Sequence, residues 1–92
     1  MNRKLRPEES VVFTDLDDGS GVLLHLDNKF YYSLNESGCF MWQVIEEKEE
    51  LKEESLIKEL CENFEVEAEA AASDVKEFVD DLAKEGLIKI IE

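Results

Sequence analysis

The sequence predicts an α+β fold in which a three-stranded antiparallel sheet near the N-terminus packs on a bundle of three helices. β-Branched and aromatic runs, separated by short clusters of turn-forming residues, occupy the first third of the chain. Apolar residues then recur at helical spacing through three later segments. The chain has 92 residues, a length for which a single domain is expected.

Three strands are predicted at residues 10–16, 22–26 and 30–34. The turn-forming clusters DDGSG and DNK join them into an antiparallel meander, because short connections require hairpins. In the third strand Phe30, Tyr32 and Leu34 share one face, and Tyr31 and Ser33 share the other. Residues 1–9 are predicted to be a flexible N-terminal arm, and residues 10–92 a single domain.

Helical signals follow the third strand. Asn35 is predicted to be the N-cap of the first helix, and the acidic run at 46–54 is expected to fray or to act as a linker. A second helix is predicted at about 53–63, and a third helix runs from Ala68 to a C-cap at Gly86. The apolar tail at 87–91 either packs on the core or adds a strand.

The charge of the chain limits its partners. With 24 acidic and 10 basic residues the formal net charge is −14, which repels nucleic acid and anionic membrane and attracts basic partners. No apolar run approaches the length of about 18 residues that a membrane helix needs. The basic N-terminal residues are not followed by an apolar stretch, so they are not expected to be a secretory signal. Cys39 and Cys61 are expected to be reduced thiols in a cytoplasmic protein.

The sequence offers little material for catalysis. His25 is the chain's one histidine, and no His, Cys or Asp group has the spacing of metal ligands. Ser37 lies in the first turn of a helix, where a capping role is expected rather than a nucleophilic one. We therefore predict a protein that is not an enzyme and that has no cofactor.

The third predicted strand, FYYSL, is an unprotected edge. Edge strands normally carry proline, lysine or another charge that blocks further pairing, and this strand has none. An extended peptide could add here as a fourth strand. Alternatively, the tail at 87–91 or a second copy of the chain covers this edge.

Two segments together resemble a known family. FYYSLNESGCFMW and DVKEFVDDLAKEGLI are similar to the corresponding segments of coenzyme PQQ synthesis protein D (PqqD), in which an aromatic-Tyr-x-Leu-Asn-x-x-Gly-x-x-x-Trp pattern recurs. The pattern falls here on Tyr31, Tyr32, Leu34, Asn35, Gly38 and Trp42. The resemblance extends over about residues 10–88.

The resemblance implies a winged-helix-like fold and a role as a peptide chaperone. Such domains are recognition elements for ribosomally synthesised and post-translationally modified peptides (RiPPs). They bind the leader segment of a precursor peptide and present it to a modifying enzyme, often a radical-SAM protein. PQQ biosynthesis or another peptide pathway would be the setting.

The resemblance also implies a binding site. The leader would add beside the third strand, pairing with the backbones of Tyr31, Tyr32 and Ser33, and it would lie in a groove against the third helix. The predicted peptide-binding residues are Phe30, Tyr31, Tyr32, Ser33, Leu34, Asp74, Glu77, Phe78 and Asp81. Phe78 is also expected to pack in the core. The acidity of the third helix predicts a leader with several Lys or Arg residues.

A second interpretation is an oligomerisation or protein-interaction module without catalytic activity, whose edge strand pairs with another copy of itself. The expected state is a monomer or a homodimer.

Overall fold

The computed structural model describes residues 3–48 and 50–91. This part of the chain forms two three-stranded sheets and three helices, which confirms the α+β class. The strands are β1 (Lys4–Pro7), β2 (Val11–Asp15), β3 (Gly21–His25), β4 (Phe30–Leu34), β5 (Leu51–Lys52) and β6 (Ile88–Ile91). The helices are α1 (Glu36–Glu47), α2 (Glu53–Asn63) and α3 (Ala68–Lys84).

The three predicted strands correspond to β2, β3 and β4, which form an antiparallel sheet in that order; we call it the meander sheet. The β2–β3 turn uses positive φ angles at Asp17 (66°) and Gly19 (91°), and Gly supplies such an angle without steric cost. In the β3–β4 turn the Asn28 side chain accepts a hydrogen bond from the Phe30 amide at 2.9 Å. The register pairs Leu23 with both Phe13 and Tyr32.

One face of the meander sheet packs on the helices. Leu23 and Leu34 lie on it and are buried, so the inner face holds the odd-numbered positions of β2 and β3 and the even-numbered positions of β4. Gly21 permits a close approach of α1, because a Cβ atom there would lie 2.6 Å from the Phe13 ring and 2.9 Å from the Cys39 sulfur. No side chain larger than hydrogen fits at that position without displacing its neighbours.

Local signals position the helix ends as predicted. The Asn35 side chain accepts a hydrogen bond from the Gly38 amide at 2.8 Å, which confirms it as the N-cap of α1. At the end of α3, Gly86 has a φ of 76°. The Leu87 amide donates to the Leu82 carbonyl and the Gly86 amide donates to that of Ala83, which is a Schellman motif.

The structure corrects the prediction for the N-terminal arm. The first two residues lie outside the described residues, but Lys4–Pro7 is the central strand of a second sheet, ordered β5-β1-β6. Leu5 has no exposed surface. Arg3 forms a bidentate ion pair with Glu53, in which Nη2 donates to Oε2 at 2.7 Å and Nε donates to Oε1 at 3.1 Å. The Arg3 Nη2 atom also donates to Asp80 Oδ1 at 3.2 Å. This segment is therefore fixed to α2 and α3.

The acidic segment at 46–54 is also more ordered than predicted. Glu49 lies outside the described residues, but Leu51 is buried in β5 and the buried carboxylate of Glu53 accepts from Arg3. A single leucine in an acidic run gives no periodic signal, which is why its burial escaped prediction. In the part of the chain that the structure describes, no helix is long and apolar enough to cross a membrane.

Candidate functional site

The edge of the meander sheet at β4 is open. Within the described residues β4 has one neighbouring strand, β3. The apolar tail forms β6, which pairs with β1 in the other sheet. The possibility that the tail covers the β4 edge is therefore wrong.

The register shows which backbone groups of β4 point outward. The Leu26 amide donates to the Ser10 carbonyl of the β2 side at 2.8 Å, so the even positions of β3 face β2 and its odd positions face β4. Leu23 pairs with Tyr32, and the Tyr32 backbone therefore bonds to β3. The amides and carbonyls of Tyr31 and Ser33 point to the open edge. Of the three backbones predicted to pair with a peptide, two have the required orientation and that of Tyr32 does not.

The opposite edge of the sheet, at β2, is less suitable for an added strand. Its outward amide at Val11 already donates to the Glu8 carbonyl at 3.3 Å. Its last outward position, Asp15, carries a charge and accepts from the Asp17 amide, and charges on an edge oppose further pairing. The open edge available to an extended peptide is thus the one at β4.

A groove lies between β4 and α3. Asp74, Glu77, Phe78 and Asp81 follow one another at helical spacing and therefore form one face of α3. They line a depression of about 270 Å³ together with Tyr32. A second depression, of about 480 Å³, lies between Phe78 and residues 32–35. Phe78 lines both depressions and also packs against the buried core.

The groove is acidic. Burial raises the pKa of the Tyr32 hydroxyl, and the carboxylates of Asp81, Glu85 and Glu77 raise it further. Among the described residues that line the two depressions there is no lysine or arginine. Lys76 lies on a different face of α3, where it pairs with Asp80 at 2.8 Å. The groove thus presents negative charge beside the open edge of β4.

The remaining predicted residues lie near this site in different ways. Leu34 is buried at the end of β4 and lines the second depression. Phe30 is half-buried opposite His25, at the other end of β4, and lines neither depression. The Tyr31 side chain is 67% exposed and projects from the sheet face opposite the groove.

Four groove-lining residues were not predicted to be part of a site. They are Asn35, Ser37 and Met41 in the first depression and Gly38 in the second. The sequence predicted a capping role for Asn35, which this residue has in the structure, and Met41 is buried in the core. The available signal was their position, since all of them lie between residues 35 and 41, directly after β4.

The site offers hydrogen-bonding groups and charge. In the described part of the chain, no group of three or more His, Cys, Asp or Glu side chains is arranged to hold a metal ion. The unpaired amides and carbonyls of β4 suit an extended chain, and the carboxylates of α3 suit cations. Together they form an open strand edge beside a negatively charged groove.

The chain is similar to known proteins in sequence and in fold. A model of the family described as coenzyme PQQ synthesis protein D (PqqD) matches residues 20–88. TbiB1, solved in complex with the TbiA(beta) leader peptide, has a TM-score of 0.80 and 28% sequence identity, and the match covers 91% of this chain and 94% of TbiB1. Lasso peptide synthetase B1, complexed with its leader peptide, has a TM-score of 0.76 and 21% identity over 92% of this chain and 96% of that protein. A search of curated proteins gives no match. Because the family model covers most of its length, the chain belongs to the coenzyme PQQ synthesis protein D (PqqD) family.

Proposed function

We propose that this chain binds the leader segment of a ribosomally made precursor peptide by strand addition at β4 and presents it to a modifying enzyme. The observation that carries the proposal is the juxtaposition of an open strand edge with an acidic groove. The outward backbone groups of Tyr31 and Ser33 would pair with the peptide, and alternate peptide side chains would then enter the groove against α3.

The relationship to TbiB1 supports this proposal. That protein is solved with a leader peptide and shares 28% of its residues with this chain across nearly the whole length of both. Lasso peptide synthetase B1, at 21% identity, supports the fold.

The leader peptide that fits this chain is basic. Asp74, Glu77 and Asp81 lie along the groove, and the whole chain carries a net charge of −14. A peptide with lysine or arginine at the groove-facing positions would gain attraction on approach and in the bound state. An acidic or neutral leader would gain no such attraction.

The chain would act by raising the concentration of the leader near an enzyme rather than by chemistry of its own. We propose that the enzyme is a radical-SAM protein or another peptide-modifying enzyme, in PQQ biosynthesis or a different peptide pathway, and that the complex acts in the cytoplasm. The chain itself requires no cofactor for this role.

Pairing of two copies through β4 is the competing use of the same edge. Two β4 strands side by side would bring two acidic grooves together, and like charges at close range oppose such a contact. A monomer with a free edge is therefore the proposed state before the leader binds.

The proposal is tested with a synthetic leader from the precursor gene nearest to this chain's gene. The reference measurement is its fluorescence anisotropy with the wild-type protein. The paired substitution Glu77→Lys with Asp81→Lys reverses two groove charges, and we expect it to raise the Kd by about tenfold or more. Glu46→Lys, at an exposed position of α1, is the single-charge control and should change the Kd by less than about threefold.

Salt provides a second measurement on the same samples. Wild-type binding should weaken as the ionic strength rises, because salt screens the exposed groove charges. The Glu77→Lys, Asp81→Lys variant should show a smaller salt dependence. Equal affinity of the wild type and this variant at low salt would contradict the proposed groove.

A further inference from the structure

The face of the meander sheet that points away from the helices carries no charge at any strand position. We call it the outer face. Its members are Val12 and Thr14 of β2, Val22 and Leu24 of β3, and Tyr31 and Ser33 of β4. Charged residues make up 37% of the chain, so a sheet face with six uncharged positions differs in composition from the chain as a whole.

Exposed apolar side chains are concentrated on this face. In the described part of the chain, four large apolar side chains are exposed: Val12 (44%), Leu16 (50%), Leu26 (45%) and Tyr31 (67%). Val12 and Tyr31 belong to the same cross-strand row, with Leu24 between them. Leu16 and Leu26 continue the outer face at the ends of β2 and β3. A contiguous exposed apolar patch on a small soluble domain marks an interaction surface.

We infer that the outer face is the docking surface for the modifying enzyme that receives the leader, an inference that rests on the proposed function. The leader site at the β4 edge and in the groove leaves this face uncovered. The face begins at β4 itself, where the Tyr31 backbone points to the leader edge and its side chain to the outer face. An enzyme docked here therefore lies directly beside the bound peptide.

The charges around the face define the partner's chemistry. Exposed carboxylates lie at both ends of the sheet, Asp17 and Asp18 in the β2–β3 turn and Asp27 in the β3–β4 turn, and they outnumber the one cation of these two turns, Lys29. The matching surface is an uncharged apolar patch with lysine or arginine at its rim. A second copy of this chain matches poorly, because its rim carries the same three acids and a single lysine.

Strand addition would enlarge this surface. A leader paired with β4 becomes the fourth strand of the meander sheet, and its alternate side chains point to the outer face. The enzyme would then contact the outer face and the leader together, so it should bind the loaded chain more tightly than the free chain. This order of binding would select chains that carry a peptide.

The test uses the peptide-modifying enzyme encoded nearest to this chain's gene, and biolayer interferometry with and without saturating synthetic leader. The variant carries Val12→Lys and Leu26→Lys, at two half-exposed positions outside the leader site. Ser55→Lys, at an exposed position of α2, is the matched control. Circular dichroism melts confirm that each variant folds.

We expect the double variant to lose at least tenfold in enzyme affinity while its leader affinity and that of Ser55→Lys stay at the wild-type value. Enzyme affinity equal to that of the wild type would overturn the inference, as would a wild-type complex with leader that does not bind the enzyme. Sedimentation that shows a wild-type dimer abolished by the same two substitutions would assign the face to a second copy instead. Failure of the wild type to bind the leader would contradict the proposed function itself. The leader titration detects this failure independently of the measurement of enzyme affinity.

Discussion

The two adjacent tyrosines of β4 serve opposite faces of one strand. The Tyr32 side chain points inward, packs against the core and borders the groove. The Tyr31 side chain is mostly exposed on the outer face. Because successive side chains of a strand alternate in direction, one dipeptide contributes to both proposed contacts, the leader groove and the enzyme-docking face.

The Tyr32 hydroxyl reports the electrostatics of the groove. Burial raises its pKa above the ordinary value of 10.0, and Asp81, Glu85 and Glu77 add to that effect. We predict that Asp81→Asn lowers the pKa of Tyr32 but leaves it above 10, because burial is the larger cause. Ultraviolet titration of the phenolate in a Tyr31→Phe background measures this pKa. Glu46→Gln is the control, and an Asp81→Asn protein with an unchanged Tyr32 pKa would contradict the groove geometry.

The same pKa sets the sign of a pH effect on stability. The folded protein holds the Tyr32 proton more tightly than the unfolded chain. The contribution of this group to the free energy of unfolding is therefore complete below about pH 10 and decreases as the pH rises toward the folded value.

At the scale of elements, β1 joins the N-terminal segment to the rest of the fold. It lies between β5 and β6, and the backbone amide of Glu53 donates to the Arg3 carbonyl at 2.7 Å. Its one fully buried side chain is Leu5. The strand therefore connects the start of α2 to the segment that follows α3.

Truncation of Leu5 tests the role of β1. We predict that Leu5→Ala lowers the free energy of unfolding by about 2–5 kcal/mol, the usual cost of a buried leucine. Lys4→Ala, at the exposed neighbouring position, should change it by less than about 0.5 kcal/mol. Chemical denaturation measures both, and a loss below about 1 kcal/mol for Leu5→Ala would support a flexible arm instead.

The open edge of β4 is tested by removing one outward amide. Ser33→Pro eliminates an N–H that points away from β3, a position where edge strands tolerate proline. We predict a folded protein whose leader affinity falls by about tenfold or more, because a hydrogen bond is lost and the ring occupies the pairing edge. Ser33→Thr keeps the amide and should bind as the wild type does. Wild-type affinity in Ser33→Pro would exclude strand addition at this position.

Locally encoded elements could be predicted from the sequence, and long-range pairings could not. Asn35 and Gly86 mark helix ends through their own side chains and backbone angles. In contrast, β1 exists because residues 4–7 pair with residues 88–91, and the sequence Lys-Leu-Arg-Pro has no strand signal of its own. For the site, the family resemblance pointed to Asp74, Glu77 and Asp81, but only the register revealed that the Tyr32 backbone is already bonded to β3.

At the scale of the whole molecule, the proposed functions divide the surface. The chain has a net charge of −14, and part of this negative charge lines the groove. The outer face of the meander sheet, in contrast, is uncharged. A basic leader and an apolar enzyme surface would thus bind different regions that meet along β4. The structure suits a small adaptor that holds two partners beside each other.

Amide hydrogen exchange measured by NMR, with and without a synthetic leader peptide, tests the central claim most directly. In the free protein we predict fast amide exchange at Tyr31 and Ser33 and slow amide exchange at Tyr32. Of these three amides, that of Tyr32 is bonded to β3 and the other two point to the open edge. Saturation with leader should slow exchange at Tyr31 and Ser33 and shift the signals from Asp74 to Asp81. A leader that binds while Tyr31 and Ser33 still exchange fast would contradict strand addition at β4.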